Sequence, residues 1–95
     1  MDNQHRKISG YRELTQADID LMNEIKAAGT RLEALLHKID LYVGAQYEAT
    51  PDGDDDEDSE RLALSQPRRW LSIARTNLQQ GLMAATRAVA QPTFF

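Results

Sequence analysis

Two stretches of this chain carry apolar residues at alternating three- and four-residue steps, and their positions are mirror images. The first runs Met22, Ile25, Gly29, Leu32, Leu36, Ile39, Val43; the second runs Leu71, Ala74, Leu78, Gly81, Ala85, Ala88. Such spacing keeps each set on one stripe of an α-helix, whereas a strand would need alternate residues. Taken in reverse order, Ile39 pairs with Leu71, Leu36 with Ala74, Leu32 with Leu78, Gly29 with Gly81, Ile25 with Ala85 and Met22 with Ala88. Each pair of numbers sums to 110. Two antiparallel helices turning near residue 55 require that relation. The expected fold class is all-α, an antiparallel helical hairpin. Gly29 facing Gly81 would let the helices approach closely, each glycine costing roughly 1 kcal/mol relative to alanine inside a helix.

Local signals set the boundaries of a single 95-residue domain. Residues 1–15 form a polar N-terminal arm. Thr15 and Asp18 resemble a capping box, with aspartate in place of the usual glutamate, so a first helix is expected over 16–46. The stretch 47–66 reads as an acidic, disordered loop, with room for a helical turn or two over 59–66. A second helix is expected over 67–90, opened by Pro67 in its first turn and stopped by Pro92. Several large apolar residues fall off both seams: Ile19, Leu21, Leu35, Leu41 and Tyr42 on the first helix, and Trp70, Ile73, Leu82 and Val89 on the second. Two helices cannot cover both sets, and large exposed apolar patches are unusual on a monomer. A compact homo-oligomer is the expected outcome.

Charge is segregated. Of the fifteen acids, Asp52, Asp54, Asp55, Asp56, Glu57, Asp58 and Glu60 supply seven; the other eight face eleven Lys and Arg, a balance of +3. From Arg61 to the end there are five arginines (61, 68, 69, 75, 87) and no Asp or Glu. A one-signed segment of this kind can attract an anion, or can balance acids on the first helix. There is no cysteine, which removes disulfide and thiolate chemistry and suits a reducing cytoplasm. No apolar run approaches membrane-spanning length, and the first residues lack a hydrophobic signal region, so no membrane partner is expected.

Catalytic and metal motifs are not found. An EF-hand loop begun at Asp52 would need glycine at 57 and glutamate at 63, where the chain has Glu57 and Ala63; begun at Asp54 it meets Ser59 and Ser65. His5 and His37 have no partner at metal-ligand spacing. The serines lack a nucleophile context, and no glycine-rich phosphate loop is present. The expectation is a protein that is not an enzyme, with no cofactor and no metal. Two features remain. Tyr11 offers a flat face to a nucleobase and Lys26 a point charge to a phosphate, yet Lys26 lies about 16 Å along the helix from Thr15. They could meet one ligand if the arm folds back or if they come from different subunits; alternatively Tyr11 packs as a hydrophobic staple and Lys26 pairs with an acid. On the second helix, Arg68, Arg69, Ser72, Arg75, Thr76 and Gln79 recur at three- and four-residue steps, making a cationic strip that suits phosphates or an inter-subunit rim.

The segments "KISGYRELTQADIDLMNEIKAAG" and "RRWLSIARTNLQQGLMAATRAVAQP" resemble the two ends of the small phage anti-CBASS proteins that act as cyclic-nucleotide sponges, which are related to the hairpin domain of anti-Thoeris sponges. The resemblance covers about residues 6–46 and 67–92 and leaves out the acid-rich middle. It implies a homo-oligomer, hexameric in the family, acting in the cytoplasm of an infected bacterial host cell. Such a protein sequesters cyclic di- and trinucleotide second messengers without cleaving them, so that CBASS effectors are not switched on. The resemblance assigns the cyclic dinucleotide to Tyr11, which stacks on a base, and Lys26, which meets phosphate, in pockets between protomers. It assigns a cyclic trinucleotide to a threefold axis near Arg69, Arg75 and Thr76. Polymeric DNA or RNA is not implied, since the acid tract would repel a long phosphate backbone. A reading of another class stands beside it: a helical adaptor whose arginine-rich helix docks on an acidic protein partner.

Overall fold

A computed structural model of the chain describes residues 12–50 and 57–94. Three helices follow one another: α1 over Gln16–Glu48, α2 over Glu57–Ser65 and α3 over Pro67–Ala90. Among the described residues there is no strand. The architecture is an all-α helical hairpin in which α1 packs antiparallel to α3. Residues 1–11, the first part of the acid tract, 51–56, and Phe95 lie outside the described residues.

Each boundary has a local cause. The Thr15 hydroxyl accepts a hydrogen bond from the Asp18 backbone N–H (3.1 Å), and the Asp18 carboxylate accepts one from the Thr15 backbone N–H (2.9 Å). That reciprocal pair is the expected capping box. α1 continues to Glu48 because nothing interrupts it before Pro51, and its last turn closes with the Ala49 N–H on the Ala45 carbonyl (3.0 Å). α2 begins at Glu57, two residues earlier than 59 and inside the acid tract. Glu57, Asp58 and Glu60 sit in its first turn, where negative charge meets the positive end of the helix dipole. Asp58 is further tied to Arg61 at 2.6 Å. Gln66, at φ 51°, is the sole residue between α2 and α3. Its N–H closes α2 on the Leu62 carbonyl, and its own carbonyl accepts the Trp70 N–H to open α3, both at 3.2 Å. Pro67 follows at the first helical position, where a missing N–H costs nothing. Gln91, at φ 53°, ends α3 in the same left-handed manner just before Pro92.

The hairpin divides into two compact units. One consists of the described residues up to Thr30 together with those from Gln79; the other is built from Arg31–Leu78. In the second unit Leu36, Val43 and Leu62 are buried, two from α1 and one from α2. Leu32, Leu71, Ala74 and Leu78 are half-buried there, and Ile39, expected on the seam, is 37% exposed. In the first unit Met22, Ile25 and Gly29 are half-buried on α1, and Leu82, Thr86 and Val89 on α3.

The α3 residues correct the expected register. Gly81, Ala85 and Ala88 are exposed, whereas Leu82 and Val89, along with Ile73, are sheltered rather than left over. A Cβ placed on Gly29 would lie 3.2 Å from Leu82 Cδ1, while one on Gly81 would meet nothing within 4 Å. Gly29 therefore packs on a leucine, and the glycine pair does not form. The sheltered positions 71, 74, 78, 82, 86 and 89 cover eighteen residues in five steps, 3.6 per step. That is the period of a straight α-helix; a strict three–four alternation averages 3.5 and drifts off the stripe by about 20° per heptad.

Candidate functional site

The start of α1 holds the most densely bonded side chain of the first unit. Arg12 donates from Nη1 to Asp18 Oδ2 (2.8 Å), from Nη2 to the Val89 carbonyl (2.6 Å) and from Nε to the Ala90 carbonyl (3.2 Å). Val89 and Ala90 end α3, where carbonyls have no partner within the helix and the dipole is negative. One guanidinium thus serves the capping box of α1 and the open end of α3 together. The Arg12 hydrogen bond, followed by that from the Thr15 backbone, lowers the Asp18 carboxyl to about 2. The same bond raises the Arg12 pKa.

Lys26 is exposed on α1 in the same unit and makes no ion pair among the described residues. The Thr30 hydroxyl donates to the Lys26 backbone carbonyl at 3.1 Å. Tyr11 lies outside the described residues, one peptide bond before Arg12.

In the second unit the arginines of α3 separate into two strips. Arg68 lies over the Tyr47 ring, 4.4 Å from its centroid. With Asp40, Leu71, Ser72 and Arg75 it lines an open groove of about 300 Å³. Asp40 and Arg75 face that groove without an ion pair among the described residues. Arg69 turns to the Trp70 ring at 5.1 Å. Thr76, seven residues on, is exposed and shares the Arg69 side of the helix, because seven residues are nearly two turns. Of the three candidates on α3, Arg69 and Thr76 therefore share a strip and Arg75 belongs with Arg68. Two guanidiniums and a hydroxyl on one wall can hold phosphate oxygens through paired charge-assisted bonds, and Asp40 can accept from a base or an amine.

Asp40 and Tyr47 were not singled out by the residue pattern. The signal was available: the sum of 110 sets residue 40 opposite 70 and residue 47 opposite 63, within a long arginine's reach of position 68. Among the described residues no group of three or more His, Cys, Asp or Glu could hold a metal ion, and no helix is long and apolar enough to cross a membrane.

A family model for the Acb2/Tad1 hairpin domain matches residues 5–90 of this chain. The chain belongs to the Acb2/Tad1 hairpin family. A relative, Anti-CBASS protein 2 of Pseudomonas phage JBD67, is 48% identical over 108 aligned positions, which take in 97% of each chain. The Acb2/Tad1 hairpin match spans both the Arg12 clamp and the α3 groove, and it includes Tyr11, Lys26, Arg69, Arg75 and Thr76.

Proposed function

We propose that this protein is a phage anti-CBASS protein which sequesters cyclic di- and trinucleotide second messengers, without cleaving them, inside the infected bacterial cell. The observation that carries the reading is the relative named Anti-CBASS protein 2, similar over nearly the whole of both chains. Capture requires only stacking and charge. A ring from Tyr11 contributes about 1–3 kcal/mol per stacked base, and Lys26, exposed and without an ion pair among the described residues, supplies a phosphate contact. The separation along α1 ceases to matter when Tyr11 of one copy meets Lys26 of another. Self-association is supported by the large side chains that the hairpin leaves outside, Tyr42 at 67% and Trp70 at 57% exposure among them. The oligomer proposed is a hexamer. A cyclic trinucleotide on a threefold axis would take one strip from each of three copies: Arg69 and Thr76 from the same side of α3, with Arg75 approaching from the neighbouring groove.

Titration calorimetry against a panel of cyclic di- and trinucleotides tests this, with mass read by light scattering and the nucleotide recovered after heat denaturation. Tight binding, intact nucleotide and a mass several times 10.7 kDa are expected. A linearised product would replace the sponge with a nuclease. A monomer indifferent to every cyclic nucleotide would favour the adaptor.

A further inference from the structure

We infer that the α3 groove selects for guanine in a cyclic trinucleotide, with Asp40 as the residue that sets the preference. Asp40 accepts from the Watson–Crick edge of the base while Arg68, Ser72 and Arg75 hold phosphate. The inference rests on the trinucleotide role proposed for Arg75.

Asp40 is the one acid among the described residues that line this groove, beside two guanidiniums, a hydroxyl and Leu71. An acid present only to balance the arginines would pair with them. Among the described residues neither Arg68 nor Arg75 forms an ion pair with it. Arg68 is drawn along α1 instead. A Cβ on Gly44 would stand 3.8 Å from its Nη2, and its guanidinium lies over the Tyr47 ring at 4.4 Å. Gly44 and Tyr47 follow Asp40 by one and two helical turns on the same face of α1. The Asp40 carboxylate is thus exposed, and when ionised it offers two oxygens that can only accept. A phosphodiester has no donor to give it, so a ligand seated here must present N–H groups from a base. Guanine presents N1–H and N2–H side by side, spaced for both oxygens of a carboxylate. Adenine and cytosine each set one amino group beside a ring nitrogen whose lone pair repels the second oxygen, and the N3–H of uracil stands between two carbonyls. Guanine alone matches without a repulsive contact, and such mismatches are what make a site selective. At about 300 Å³ the groove is at the small end of ligand sites, suited to one base with its phosphate rather than a whole ring.

The test titrates the full-length protein, Asp40→Asn, Asp40→Ala and Arg75→Gln with cyclic triadenylate and with cyclic AMP–AMP–GMP, which carries guanine in place of one adenine. The native protein should bind the guanine-bearing ring about tenfold more tightly. Asp40→Asn exchanges one acceptor for a donor and so matches the donor–acceptor edge of adenine. It should weaken the guanine-bearing ring, tighten cyclic triadenylate and abolish or invert the preference. Asp40→Ala supplies neither group and should also lose the preference, a second reading should Asp40→Asn fail to fold. Arg75→Gln should weaken both rings by similar factors, since phosphate carries no base identity. A purely electrostatic role for Asp40 would tighten both rings equally in Asp40→Asn, and that result overturns the inference, as does a native protein without a guanine preference. Native-like binding of both rings by Asp40→Asn and Arg75→Gln removes the groove from recognition and leaves sequestration standing. A native protein that binds neither ring removes the trinucleotide reading and this inference together.

Discussion

Asp18 is held by an arginine and a backbone N–H, and both favour its charged form. Its folded pKa, about 2, lies below the ordinary 3.8. A depressed carboxylate contributes stability that is fully present above the unfolded value and is lost as pH falls through the folded one. The native chain should therefore lose its advantage over Asp18→Asn between about pH 4 and pH 2, a change read from urea midpoints at pH 6, 4 and 2. An advantage that persists at pH 2 would contradict the clamp. Glycine offers a second test at this scale. Gly81→Ala, with open space around the new methyl, should stabilise by about 0.8–1 kcal/mol from helix propensity alone. Gly29→Ala must displace the end of Leu82 by a few tenths of an ångström, which offsets that gain and leaves the midpoint near the native one. Both measurements belong at a fixed protomer concentration. The capping box was legible in the residues because its partners are three apart. The Arg12 clamp was not, since two of its acceptors are backbone carbonyls, which look alike in every residue.

Gln66 joins α2 to α3 as a single residue in the left-handed region, a conformation that costs an L-residue roughly 1–2 kcal/mol and glycine almost none. Part of that relief is returned through glycine's greater freedom in the unfolded chain. Gln66→Gly should still stabilise by about 0.5–1 kcal/mol, measured as a shift in the urea midpoint at constant slope. A destabilised variant would mean that the glutamine side chain has a role of its own. The short α2 emerged from a stretch where composition suggested disorder, because three acids are welcome in the first turn of a helix and Leu62 finds burial in the second unit. The periodicity of α3 was visible from its apolar residues, but its phase was not. The glycine at 81 and the alanines at 85 and 88 fitted the apolar pattern as well as the leucine and valine at 82 and 89, and the larger side chains won the sheltered stripe.

The molecule as a whole leaves apolar surface for its copies. On α1, Leu35, Ile39 and Tyr42 stand one and two turns apart on a single exposed face and make an apolar ridge, where the outer face of a helix in a monomer is ordinarily polar. Glutamate at both Leu35 and Tyr42 should lower the mass seen by light scattering while helix content by circular dichroism stays constant. Because the proposed pockets form between protomers, cyclic dinucleotide affinity should fall in parallel. Full binding by a smaller species would show that one chain holds the ligand alone. Tyr11→Ala and Lys26→Ala make the complementary prediction: binding weaker by tenfold or more, equivalent to about 1.4 kcal/mol, with the mass unchanged.

The residues themselves determined that this chain is a helical hairpin, where its first cap lies, how its register runs to within one position, and that its charges are segregated. Those properties are local or periodic, and a pattern of side chains carries them completely. Tertiary packing decided that Gly29 meets Leu82, that Arg12 ties α1 to the end of α3, and that Arg68 and Arg75 share a groove with Asp40 while Arg69 turns to Trp70. One residue of phase swings a side chain about 100° around a helix. That angle separates two cationic strips within one arginine-rich run, and only contact with a second helix sets it.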